Sequence, residues 1–146
     1  MRVYLAGPLF TPYERGYLDE CAARLREREF EVFVPHEHAL ALGNTTAAEI
    51  FAKDVEGLAG AEAVLALLDG PQVDDGTACE IGLFYALMQS DPAKKGIVGL
   101  LTDLRGLRLE EGHGLNLFVE GCIQAAGEIA ASLQDAIAAL ERLRVT

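Results

Sequence analysis

The sequence predicts an α/β fold in which a mostly parallel sheet is covered by helices. Two observations predict it. Short apolar runs recur at Arg2 to Ala6, Phe30 to Val34, Ala63 to Leu68 and Gly96 to Leu101, the first two stopped by Gly7-Pro8 and Pro35. Between the runs lie segments whose apolar residues fall at helical spacing, and such strand-helix alternation builds a parallel sheet with both faces covered.

Taken in order, Arg2 to Ala6 is a first strand. Pro12 to about Glu29 is an amphipathic helix, with Leu18, Cys21, Ala22 and Leu25 on one face and charges between them. Phe30 to Val34 is a second strand. A loop from His36 to Thr45 precedes a helix from about Thr46 to Leu58, and Ala63 to Leu68 is a third strand. A helix from about Thr77 to Gln89 leads to the fourth strand, Gly96 to Leu101. Asp103 to Gly114, rich in Arg, Glu and Gly, reads as a long loop of the kind that forms lids or binding segments. Asn116 to Ala125 is apolar and fits either strand or helix. The tail from Glu128 to Leu143 reads as one helix, with Ile129, Leu133, Ile137, Leu140 and Leu143 along a stripe.

At 146 residues and 51% hydrophobic, the chain suits one domain spanning 1–146 with a proper core. Its formal charge of -11 and pI near 4.6 repel nucleic-acid backbones and anionic membranes, which leaves small neutral ligands as the expected partners. The apolar part of Met1 to Gly7 is too short for a signal peptide and no run approaches membrane-spanning length, so a cytoplasmic location is expected. Cys21, Cys79 and Cys122 have no CxxC spacing, which suggests neither a disulfide framework nor a zinc site; packing roles are expected, with a reservation for Cys79 beside a helix start. His36-Glu37-His38 has no accompanying ligand cluster and reads as loop histidines. There is no Walker loop, and Ala6-Gly7-Pro8 lacks the glycine spacing of dinucleotide binders, so no cofactor is expected.

The chemistry concentrates in Asp74-Asp75-Gly76-Thr77-Ala78-Cys79-Glu80-Ile81-Gly82, which follows the third strand and opens the next helix. Ligands of open α/β sheets bind in the crevice at the carboxyl ends of the strands. Glu80 is expected in the first helical turn there, where backbone amides favour its ionised form. The competing reading is a capping box, Thr77-Ala78-Cys79-Glu80, with Glu80 reaching back to the cap. Gly76 allows a ligand close to the backbone, and Gly82 leaves room on the helix. Asp69, Asp74, Asp75 and Asp54 add carboxylates near strand ends. Such a set suits glycosidic chemistry, because cleavage at an anomeric carbon develops oxocarbenium character that one carboxylate captures while a second acid protonates the leaving group.

Tyr4-Leu5-Ala6-Gly7-Pro8-Leu9-Phe10, Asp54, the Asp74-to-Gly82 segment and Gly114-Leu115-Asn116-Leu117, in that order over about four fifths of the chain, together resemble the nucleoside 2-deoxyribosyltransferase family. The resemblance implies a flavodoxin-like (Rossmann-like) three-layer α/β sandwich with about five strands. It implies transfer of 2-deoxyribose between nucleobases by double displacement, in nucleotide salvage, with Glu80 as the nucleophile that forms a covalent deoxyribosyl-enzyme. Asp74 matches the residue that contacts the base and handles its proton, and Asp54 a second acid on the base side. Tyr4 matches a hydroxyl beside the nucleophile. Asn116 matches an amide near the sugar that comes from a neighbouring subunit, which implies a homo-oligomer. Gly7, Phe10, Gly76 and Phe118 fall along the implied substrate site, Phe118 standing where many relatives carry Met.

The residues keep plainer readings alongside. Asp74 also suits a turn or N-cap, Asp54 an exposed helix charge, and Tyr4 a half-buried strand position. Two other activities fit the same pattern: hydrolysis of a 2′-deoxynucleoside 5′-monophosphate, for which Thr11 and Arg15 are the phosphate-side candidates, and non-catalytic nucleotide binding. The segment after Gly7 offers no Ser-rich loop, and Asn116 and the strongly negative charge favour an unphosphorylated nucleoside.

Overall fold

The computed structural model describes residues 1–38, 45–103 and 114–145. Five strands, β1 (Arg2–Ala6), β2 (Glu31–Phe33), β3 (Ala63–Leu67), β4 (Gly96–Leu100) and β5 (Gly127–Ala130), form one sheet in the order β2-β1-β3-β4-β5. Every neighbouring pair is parallel. The helices are α1 (Pro12–Glu27), α2 (Ala47–Gly60), α3 (Asp75–Met88), α4 (Leu117–Ala126) and α5 (Leu133–Val145), with a 3₁₀ turn at Pro35–His38. This is the flavodoxin-like winding, whose direction reverses between β1 and β3, and the crevice at the carboxyl ends of those two strands is its ligand position.

The period-2 alternation of the strands divides the core in two. Val3, Leu5, Ala63, Leu65, Leu67, Val98 and Leu100 pack with Leu18, Leu25, Ile137 and Leu140 of α1 and α5. Tyr4, Ala6, Val64, Ala66 and Ile97 face the other way, onto Leu58, Ile81, Phe84 and Ile123 of α2, α3 and α4. Burial of β3 and β4 at every position explains why they read as unbroken apolar runs.

Local chemistry sets the helix starts. Thr11 and Thr46 each cap a helix through a capping box, with Glu14 and Glu49 as the reciprocal carboxylates. α1 stops at Glu27, and Glu29 turns the chain toward β2 with φ 62°, the left-handed conformation in which helices commonly end. At the far end of β3, Asp69 Oδ1 accepts from the backbone N–H groups of Thr102 (2.6 Å) and Asp103 (2.9 Å), clamping the carboxyl ends of β3 and β4 together.

In the C-terminal third one open reading is resolved and one expectation is corrected. The ambiguous segment is a helix, Leu117–Ala126, begun by Asn116. The expected helix from Glu128 is instead a strand over Gly127–Ala130, and α5 begins only at Leu133. Ile129 fitted the helical stripe by spacing, but the free edge of β4 offers four residues of parallel pairing, Ile97↔Gly127 through Leu100↔Ala130. Gly127 permits this closeness, since a Cβ there would lie 2.1 Å from the Ile97 carbonyl oxygen. Ser132 then caps α5, accepting from the Asp135 N–H at 3.1 Å. The expected loop or lid between Asp103 and Gly114, and most of the loop from His36 to Thr45, lie outside the described residues.

Candidate active site

α3 starts at Asp75, two residues earlier than the sequence suggests. Asp74 is its N-cap, Oδ2 accepting from the Thr77 N–H at 2.9 Å and the Thr77 hydroxyl at 3.1 Å. Thr77, fully buried, is thereby satisfied. Glu80 consequently falls in the second turn, and the capping-box reading of Thr77 to Glu80 does not hold. Its carboxylate turns to the sheet, where Oε1 accepts from the Tyr4 hydroxyl at 2.6 Å. Tyr4 is a fully buried β1 residue, so this bond crosses from strand to helix over 76 positions of sequence.

The expected preference of Glu80 for its ionised form is also corrected. Burial pushes its carboxyl up to about 7, the negative charges of Asp54 and Asp74 push the same way, and the Tyr4 hydrogen bond and the Lys53 ammonium oppose them. Beyond the first turn, helix-terminal amides do not offset desolvation. Burial and the neighbouring Glu80 carboxylate hold the Tyr4 hydroxyl far above its ordinary range, which keeps it a proton donor.

Asp54, on α2, is close enough for its charge to act on both Tyr4 and Glu80. Burial raises its carboxyl, against the pull of Lys53, whose Nζ lies 3.7 Å from Oδ1. That oxygen is buried without a hydrogen-bond partner, a costly state that marks it for a ligand or a proton. Tyr4, Asp54, Asp74 and Glu80 therefore form one acid cluster, assembled from β1, α2 and the start of α3. Of the other carboxylates, Asp69 serves the strand clamp, and Asp75 Oδ1 accepts the Gly76 N–H at the helix surface.

Asn116 is the N-cap of α4, its Oδ1 accepting from the N–H groups of Phe118 (3.0 Å) and Val119 (3.3 Å). No hydrogen bond among the described residues joins it to Glu80. Phe10 and Phe118 point outward, 77% and 85% exposed. Gly7 is explained by packing, since a Cβ there would meet Leu18 Cδ2 at 2.8 Å. At Gly76 a Cβ would lie 3.1 Å from Asp74 Oδ2, so its bareness keeps the cap clear, while nothing lies within 4 Å of one at Gly82. Cys79 is exposed, not packed as expected; Cys21 is buried and Cys122 partly so.

Two participants had no signal in the sequence. Lys53 reads as a surface charge on an amphipathic helix, yet its Nζ donates to the Pro35 carbonyl at 2.9 Å. Phe33 reads as a plain strand residue, yet its ring stacks on Tyr4 (5.3 Å between centroids) and on His38 (4.6 Å). A cavity of about 500 Å³ beside them is lined by Arg2, Phe33, His38, Lys53, Glu56 and Gly57. A larger one, about 540 Å³ between α1 and α5, lies across the sheet from Glu80 and contains none of the cluster. Among the described residues no group of three or more His, Cys, Asp or Glu side chains is placed to hold a metal ion. No described helix is long and apolar enough to cross a membrane.

Fold and cluster together define an α/β protein with a buried carboxylate site at the switch point of a doubly wound sheet. The profile of the nucleoside 2-deoxyribosyltransferase family matches residues 3–124, and the chain belongs to that family, whose members act on nucleosides. Among solved structures it is similar to a conserved protein of Enterococcus faecalis V583, at 27% identity and a TM-score of 0.82, covering 97% of this chain and 98% of that one. It shares its fold with a 2-deoxyribosyltransferase of Bacillus psychrosaccharolyticus (22% identity, TM-score 0.71, 94% and 90% covered). It also shares it with a CMP N-glycosidase, BcmB, of Clostridium botulinum (19% identity, TM-score 0.62, 97% and 98% covered).

Proposed function

We propose that this protein transfers 2-deoxyribose between nucleobases, with Glu80 as the nucleophile. The observation that carries the reading is the buried carboxylate held at one oxygen by the Tyr4 hydroxyl, which leaves Oε2 for attack. Oε2 bonds to C1′ as the C1′–N bond breaks, and the electron pair of that bond leaves with the base. Asp54, biased toward its protonated form by burial, gives the departing base its proton, with Asp74 contacting the base. An acceptor base then attacks C1′, returns a proton to Asp54 and expels Glu80, so two inversions retain configuration. The Tyr4 hydrogen bond serves both halves: it orients the nucleophile, then stabilises the carboxylate as it leaves.

Hydrolysis of a nucleoside monophosphate needs a phosphate site, and its sequence candidates are engaged elsewhere. The Thr11 hydroxyl caps α1, and Arg15 Nη1 donates to the Leu9 carbonyl at 2.6 Å. That supports an unphosphorylated nucleoside. The exposed apolar side chains of Phe10, Phe51, Leu117 and Phe118 support a homo-oligomer in which Asn116 reaches a neighbouring site.

The test is incubation with 2′-deoxyinosine or thymidine plus excess adenine, alongside Glu80→Ala. Formation of 2′-deoxyadenosine by the wild type alone is expected. Free base and free deoxyribose without 2′-deoxyadenosine would overturn transfer in favour of hydrolysis.

A further inference from the structure

We propose that Lys53 is a positioning residue of the acid cluster: its ammonium, tethered to the Pro35 carbonyl, holds the Asp54 carboxylate beside Glu80 and supplies the positive charge that both acids face. The inference rests on the assignment of Glu80 as nucleophile. Three observations carry it. Lys53 Nζ donates to Pro35 O at 2.9 Å, which pins the ammonium between α2 and the turn after β2. The same nitrogen lies 3.7 Å from Asp54 Oδ1, an oxygen otherwise buried without a partner. Among the described residues, the charged and titratable groups that face Glu80 are Tyr4 from β1, Asp74 at the start of α3, and Asp54 and Lys53 from α2, with Lys53 the cation of the set.

The physical consequence follows from the balance of charge. Burial raises the carboxyl groups of Glu80 and Asp54, and the charges of Asp54 and Asp74 raise Glu80 further. An ammonium pulls both back down. Arg2, His38 and Glu56 line the cavity on the other side of Lys53, and none of them acts on Glu80 directly. When the charge of Lys53 is removed and its tether to the Pro35 carbonyl kept, the cluster keeps its shape and loses its poise: Glu80 stays protonated to higher pH, and attack on C1′ slows in neutral solution.

Lys53→Gln retains a donor for the Pro35 carbonyl while removing the charge, and Lys53→Arg restores the charge. For deoxyribosyl transfer, kcat/KM against pH is expected to keep its shape in Lys53→Gln but to move its acidic limb upward by roughly half to one unit, a loss of about 3- to 10-fold below the limb. Activity recovers above it, and Lys53→Arg returns the limb toward wild type. A uniform loss at every pH, or an unmoved limb, overturns the proposal. Carbon-13 NMR titration of the glutamate carboxyls, with the Glu80 signal assigned through Glu80→Gln, reads the same shift without turnover. Inertness of the wild type would overturn the transferase reading while leaving that titration to decide on Lys53.

Discussion

The two helical layers flanking the sheet bury comparable apolar side chains and treat polar groups in opposite ways. On the α1 and α5 side, the core is Leu18, Leu25, Ile137 and Leu140 against one face of the sheet, and among the described residues Cys21 is a titratable group fully buried there. Burial pushes its thiol up to about 12, so it stays neutral and inert. On the α2, α3 and α4 side, Tyr4, Asp54 and Glu80 are packed into one corner, with an orphaned carboxylate oxygen and a glutamate poised near neutrality. The larger cavity belongs to the first side and the proposed site to the second. Unsatisfied, mutually perturbed polar groups mark this site, and cavity volume does not.

The comparison can be broken most sharply at Glu80. Glu80→Gln should lower transfer by roughly 10⁴-fold or more, since an amide cannot form the covalent intermediate. The same change should stabilise the fold at pH 8. The folded-state value of about 7 stands above the unfolded value near 4.5, so the stability this group contributes is fully present below pH 4.5 and is lost as pH rises through 7. Chemical denaturation across that window should show a decline of up to about 3 kcal/mol in the wild type and none from this residue in the variant.

Asp54→Asn comes next, with an expected loss of about 100-fold in transfer, because the amide has no proton to give the departing base. Single-turnover release of base should fall more than breakdown of a preformed intermediate by a strongly basic acceptor. On the opposite layer, Leu140→Ala should cost about 3 kcal/mol of stability by opening a cavity between α5 and the sheet, measured by denaturant melts. The acidic limb of its rate profile should stay where the wild type has it. A shifted limb would mean that the two layers are electrostatically coupled and would undo the contrast.

Much of the fold was legible because it is local. Central strands β3 and β4 are continuous apolar runs, since both faces are covered; Thr11-to-Glu14 is a complete capping signal. The last strand was hidden because Gly127–Ala130 becomes a strand only by pairing with β4, and nothing within those four residues distinguishes it from the start of a helix. The Ser132-to-Asp135 cap, immediately before α5, was the available signal.

The site divides the same way. Order and spacing of the motifs pointed to the family, and supplied Glu80, Asp54, Asp74 and Tyr4 as the candidates of the proposed site, because side-chain types are written directly in the chain. Only the tertiary structure decided that Asp74 caps α3, that Glu80 therefore lies in the second turn against Tyr4, and that Lys53 faces Asp54 rather than solvent. Protonation was decided there too. A pKa depends on what surrounds a group in space, and the neighbours of Glu80 come from segments 6, 26 and 76 residues away, so desolvation outweighs the helix-terminal field that its own segment suggests.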